Sequence, residues 1–125
     1  MTVDEVVGFC NHLYGETAWV IEDNNWIYLF TLYSKWLIKK SDYERFGFYT
    51  LFHFNEREGK NYHIQKRGNI DFLVYEAICH DVSEKSTRLK FTDFLKAWSL
   101  FKYGQQLYES VQTFNFLAGE ELSGN

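Results

Sequence analysis

From Thr17 to Lys66 the chain is a succession of short runs rich in aromatic and β-branched residues, each closed by turn formers. That texture restricts the fold more than any other feature, because it is the signature of an antiparallel meander. Thr17 to Glu22 and Trp26 to Tyr33 flank Asp23-Asn24-Asn25, a good hairpin turn. Lys35 to Lys40 is a third short strand before the turn at Ser41-Asp42, and Phe46 to Asn55 is a fourth. The fourth alternates Phe46, Phe48, Thr50, Phe52 and Phe54 with Gly47, Tyr49, Leu51 and His53, so bulk on both faces places it inside the sheet. The charged loop from Asn55 to Asn61 then leads to Tyr62 to Lys66 and the turn Arg67-Gly68-Asn69.

Helices are expected at both ends. Thr2-Val3-Asp4-Glu5 is a capping box: the Thr hydroxyl accepts from the amide three residues on, and Glu5 reaches back to the amide of Thr2. Val3, Val6, Val7, Phe9, Cys10, Leu13 and Tyr14 recur at helical spacing, and Gly15 supplies a left-handed stop, so the spacing predicts a helix over 3–14. Ile70 to Cys79 admits two readings, a helix capped by Asn69 or a buried strand through Phe72-Leu73-Val74-Tyr75, and the strand is preferred. Asp81 to Lys90 is polar and reads as a loop. Thr92 caps a helix with the stripe Phe94, Leu95, Trp98 and Phe101, ended by Gly104, and Leu107 to Phe116 is either a last strand or a second helix.

Helix, meander, helix is the order of an α+β fold: an antiparallel sheet of about five strands, with an N-terminal and a C-terminal helix packed on one face. One domain over 1–118 with a flexible tail over 119–125 accounts for all 125 residues.

Phe91-Thr92-Asp93-Phe94-Leu95-Lys96-Ala97-Trp98-Ser99-Leu100-Phe101-Lys102-Tyr103-Gly104-Gln105-Gln106-Leu107 resembles an element found in many small proteins of bacteriophages of low-GC bacteria. The shared features are an aromatic, a capping residue, an amphipathic helix, and Gly with two polar residues before an apolar one. Those proteins carry basic residues where this chain has Gln105-Gln106. The resemblance implies an origin on a mobile element and assigns no activity, binding site or partner.

Two cysteines, Cys10 and Cys79, form neither a disulfide framework nor a zinc ribbon, and Thr2-Val3-Asp4-Glu5 lacks the basic and apolar regions of a secretory signal; a cytoplasmic location is expected. The apolar stretch Trp26 to Leu32 is far below the ~20 residues that cross a bilayer, so no membrane role is expected.

Charge is uneven. Residues 1–34 hold five acids and no Lys or Arg; residues 35–67 hold eight cations against Asp42, Glu44, Glu56 and Glu58, a net of +4. Trp36, Tyr43 and Tyr49 are interleaved with Lys39, Lys40, Arg45, Arg57, Lys60, Lys66 and Arg67, and these ten residues are the candidate partner-binding set. Cations beside rings also suit a phosphate backbone with stacked bases, so a nucleic-acid face over 35–67 is the alternative. The chain carries twelve Phe, nine Tyr and four Trp, more rings than a small interior absorbs, and such a surplus serves interfaces.

His53 and His63 are equidistant from Glu58, so a symmetric hairpin sets them opposite each other. Two imidazoles do not complete a metal site, and no metal or cofactor is expected. Cys79-His80-Asp81 contains the residue types of a thiol nucleophile and its helpers, but adjacent side chains do not converge. With no GxGxxG or GxxxxGK either, no catalytic residue is assigned, and a small hydrolase stands only as a further alternative. The leading expectation is a small protein-binding module, an inhibitor of a host or defence protein such as the anti-CRISPR kind.

Overall fold

The computed structural model describes residues 1–32, 34–55, 59, 61–82 and 89–123, apart from the side chains of 81–82 and 120–123. The elements run α1 (Val3–Tyr14), β1 (Trp19–Glu22), β2 (Trp26–Phe30), β3 (Lys35–Lys39), α2 (Asp42–Phe46), β4 (Tyr49–Asn55), β5 (Asn61–Gly68), α3 (Ile70–Val82) and α4 (Phe91–Ser123). The fold is α+β, with an N-terminal helix, a five-stranded antiparallel sheet in the order β1-β2-β3-β4-β5, and a C-terminal helix. The chain divides into two units, Met1–Arg88 and Leu89–Asn125.

α1 starts and stops where its local chemistry requires. Thr2 Oγ1 accepts from Glu5 N at 3.2 Å, Thr2 N donates to Glu5 Oε1 at 3.1 Å, and Gly15 takes the left-handed conformation at φ 68°. The Asn11 side chain then ties helix to sheet, donating to the Ala18 carbonyl at 2.8 Å and accepting from the Ala18 amide at 2.9 Å. At the first hairpin turn, Asp23 Oδ1 accepts from the amides of Asn25 and Trp26 at 2.8 and 2.7 Å, which closes the turn without a glycine.

Pairing assigns every strand side chain to a face. On the inner face Val20, Leu29, Trp36, His53 and His63 run across all five strands, and Ile27, Ile38 and Leu51 form the neighbouring row. α1 and α3 pack against each other there, α1 reaching β1 and α3 reaching β4 and β5. Their buried side chains, Val6, Phe9 and Cys10 with Leu73, Val74, Ala77 and Ile78, meet buried Ile27, Leu29, Ile38 and Leu51 in the core. Ile21, Tyr28, Leu37, Phe52 and Ile64 make the corresponding row on the outer face.

Three expectations are corrected. Ile70 to Cys79 is helix, not strand: the Asn69 carbonyl accepts from Leu73 N at 3.0 Å, and the nearly continuous burial of Leu73 to Cys79 leaves no amphipathic period to read. The strand expected from Phe46 begins only at Tyr49, because Asp42–Phe46 forms a short helix that Gly47 ends at φ 74°, its amide donating to the Tyr43 carbonyl at 2.8 Å. Gly104 lies inside α4, so Leu107 to Phe116 continues that helix, which is assigned as far as Ser123. The polar loop expected over 81–90 falls partly on residues 83–88, outside the described residues.

Two predictions follow from these local causes. Gly8 is exposed within α1, and a Cβ there meets nothing within 4 Å. Gly8→Ala is expected to stabilise the fold by about 0.5–1 kcal/mol in urea unfolding. The two amides at Asp23, Asn25 first, hold its carboxyl below the ordinary value of 3.8. The unfolded chain therefore binds that proton more readily, so the contribution is present above pH ~4 and lost as pH falls through the carboxylate range. Asp23→Ala should lower the thermal midpoint at pH 7 more than at pH 3.

Candidate functional site

α1 and α3 leave the outer sheet face with ring-bearing side chains and a rim of cations. Trp19 stacks on Phe30 at 5.2 Å between ring centroids, and Phe54 lies 5.0 Å from Tyr62. Burial first, and then the phenol of Tyr28, push the Tyr62 phenol above its ordinary value. Cations lie over the rings: Lys35 over Phe54 at 5.2 Å, Lys39 over Trp26 at 5.9 Å and Arg67 over Phe48 at 5.9 Å.

The face deepens beside α2. Phe46 and Phe48 stack at 5.6 Å, and together with Phe52 and Ile64 they line a trough of about 420 Å³ whose polar border is Lys39, Arg67, Thr50 and the carboxylate of Asp42. Each part follows from the chain around it. Gly47 reverses the backbone, so Phe46 from the helix and Phe48 from the approach to β4 meet face to face. An irregularity in the β4–β5 register pairs Leu51 with Lys66 but Phe52 with Ile64, and that step keeps both Ile64 and Arg67 on the outer face. Phe46 and Ile64 are each 50% exposed, and Arg45 lies over Phe46 at 5.0 Å. The arrangement can seat an apolar side chain and place cations around its entry.

The ten expected contact residues separate into groups. Lys39, Arg45 and Arg67 border the trough or its rings. Tyr43 and Tyr49 stack at 5.2 Å at the corner between α2 and β4. Lys40 pairs with Glu22 at 2.7 Å, and Lys66 turns to the helix side, 3.4 Å from Glu76 and over Phe72. Arg57 and Lys60 lie outside the described residues. Trp36 is a correction: at 1% exposure it belongs to the core, since its position in β3 points it to the inner face with Leu29 and His53. Sequence reading missed Phe46, Phe48, Phe52 and Ile64, which it placed in strands without a surface role. The one available signal was Gly47 between two phenylalanines.

The histidines pair as the spacing predicts. His53 and His63 are register partners with rings 5.2 Å apart, edge to face. α3 adds His80 at 5.1 Å from His53, and the Trp36 ring stacks on His53 at 4.1 Å. His53 Nε2 also lies 3.3 Å from Ser34 Oγ. Among the described residues no group of three or more His, Cys, Asp or Glu could hold a metal ion. Cys79 does not join this cluster: the helical turn between neighbours sends His80 outward and Cys79 inward, against Cys10. The hydrogen bond to Cys79, and after it burial, push the Cys10 thiol far up, so it stays protonated and inert.

Among the described residues no helix is long and apolar enough to cross a membrane. No family model, curated protein or solved structure matches the chain. In native protein both thiols should resist an aromatic disulfide reagent; in guanidinium chloride both should react, and fast native labelling of either would contradict the Cys10–Cys79 packing.

Proposed function

We propose that the chain is a protein-binding module, and that the outer sheet face is its contact surface. The observation that carries this reading is the trough of Phe46, Phe48, Phe52 and Ile64 with Lys39 and Arg67 at its edge. An apolar pocket with two cations, Lys39 and Arg67, against the single carboxylate of Asp42 at its edge suits a partner segment that presents a hydrophobic anchor beside acidic residues. The cations lie over rings, which limits the freedom they lose when a carboxylate arrives and keeps the rim preorganised. In biological terms the reading is an inhibitor or modulator that occupies a surface of a host or defence protein, consistent with the phage-like segment at 91–107.

A nucleic-acid face is the second reading, supported by Lys39, Arg45 and Arg67 standing beside Trp26, Phe46 and Phe48. It is the weaker one, because Lys40 and Lys66 are engaged by Glu22 and Glu76.

The test is affinity capture from host lysate with wild type and with a Phe46→Ala, Ile64→Ser, Arg67→Glu variant, all three positions being exposed. A partner retained by wild type and weakened at least ~10-fold by a variant of unchanged thermal midpoint is expected. Equal recovery with both chains would remove the trough from the function. Retention that collapses on nuclease treatment, or between about 50 and 200 mM salt, would favour the nucleic-acid reading.

A further inference from the structure

α4 carries an exposed apolar seam. Leu100, Tyr103, Leu107, Ser110, Phe114 and Leu117 follow the alternating three- and four-residue spacing of a coiled coil. The five apolar members are all exposed, Leu100 at 72% and Phe114 at 71%. Another stripe, Phe91, Phe94, Trp98 and Phe101, contacts itself ring to ring and lies, at 100° per residue, on roughly the opposite side of the helix. A helix gains most of its stability by packing its apolar face, so covering a stripe of this length is favourable.

We propose that α4 is a dimerisation helix, pairing antiparallel along this seam with α4 of a second copy of the chain. Run antiparallel, the seam is complementary to itself: Leu100 meets Leu117, Tyr103 meets Phe114, and at the centre Leu107 meets Ser110, a large side chain against a small one. A parallel pair would set Ser110 against Ser110 and leave a hole. The flanking positions Gly104, Gln106, Val111, Thr113 and Ala118 carry no charge, so nothing repels an identical helix. Charge along the helix also favours the antiparallel sense. Lys96 and Lys102 lie in the first half beside the single acid Asp93, while Glu109, Glu120 and Glu121 lie in the second with no Lys or Arg.

The polar groups on the seam are prepared for burial. Ser110 Oγ donates to the Gln106 carbonyl at 2.9 Å, and Thr113 Oγ1 donates to the Glu109 carbonyl at 3.0 Å. Each hydroxyl donor is satisfied within the helix, so removing it from water costs little. Covering the five apolar seam residues and Val111 removes on the order of 600 Å² from each copy, close to the roughly 800 Å² per partner of a stable interface.

The test uses the full chain in sedimentation velocity from about 1 to 100 µM, where mass action separates monomer from dimer. A species of twice 15.0 kDa is expected, with dissociation shifted at least ~100-fold by Leu107→Glu combined with Phe114→Glu. Cysteine crosslinking reads the same contact without charge substitutions. A mixture of L107C and S110C chains should form the mixed disulfide under mild oxidation, while each chain alone and a Gln105→Cys control should not. Wild type that stays monomeric at the highest concentration overturns the proposal, as does a dimer indifferent to both glutamates. Crosslinking of S110C alone, as efficient as the mixture, overturns the antiparallel arrangement.

Discussion

The contact between α1 and α3 on one side of the sheet is the constraint from which the rest follows. The two helices meet through small and branched side chains, with Cys10 against Cys79 and Ala77 in the same buried layer, and so lie close enough to serve one sheet face together. Val20, Leu29, Trp36 and the Ile27–Ile38–Leu51 row lie beneath that layer. Because a strand alternates its side chains, every residue committed inward obliges its neighbour to face outward. Tyr28, Leu37 and Phe52 are therefore outward residues in the very strands that supply the core. An inner face that already holds Trp36 and two helices has no room for them, and the ring surplus collects on the other side.

How much of this was legible depends on whether the determining contact is local in sequence. The capping box at Thr2 and Glu5, the Gly15 stop and the Asp23 turn are all decided within five residues, and they occur where the sequence places them. The His53–His63 register follows from the symmetry of one hairpin and was equally readable. α3 was not, because a helix covered by a sheet on one side and a second helix on another loses its polar stripe and resembles a buried strand. Trp36 illustrates the same limit. Lys35-Trp36-Leu37-Ile38-Lys39 alternates, but the pattern does not say which alternate set faces inward until β2 and β4 are paired beside it.

The candidate site shows why a charge map along the chain differs from one in space. The net +4 of residues 35–67 reads as a continuous basic segment. In the fold Lys66 crosses to the helix side and reaches Glu76, which is ten residues further on and belongs to a different element. Lys40 reaches back to Glu22. What stays at the outer rim is a smaller set with rings beneath it, and its worth lies in orientation and encounter more than in binding energy, since exposed charges are screened at a Debye length of about 8 Å in physiological salt. In the proposed binding the phenylalanines of the trough would supply the part of the interaction that salt does not weaken.

Two apolar surfaces with different chemistry then make different demands. The outer face combines flat rings with cations and, as a proposed contact surface, would favour a partner of opposite charge and matching shape. The α4 seam is aliphatic and aromatic and, in the proposed pairing, would favour a copy of itself. Each surface is thereby poorly suited to the other's partner: a neutral helix finds no use for the cationic rim, and an acidic segment gains nothing from the seam. If pairing through α4 displays the trough twice, a partner that is itself repeated is held by two weak contacts at once. The second contact then forms at an effective concentration set by the linkage and not by the solution, and a module this small needs no single contact of high affinity.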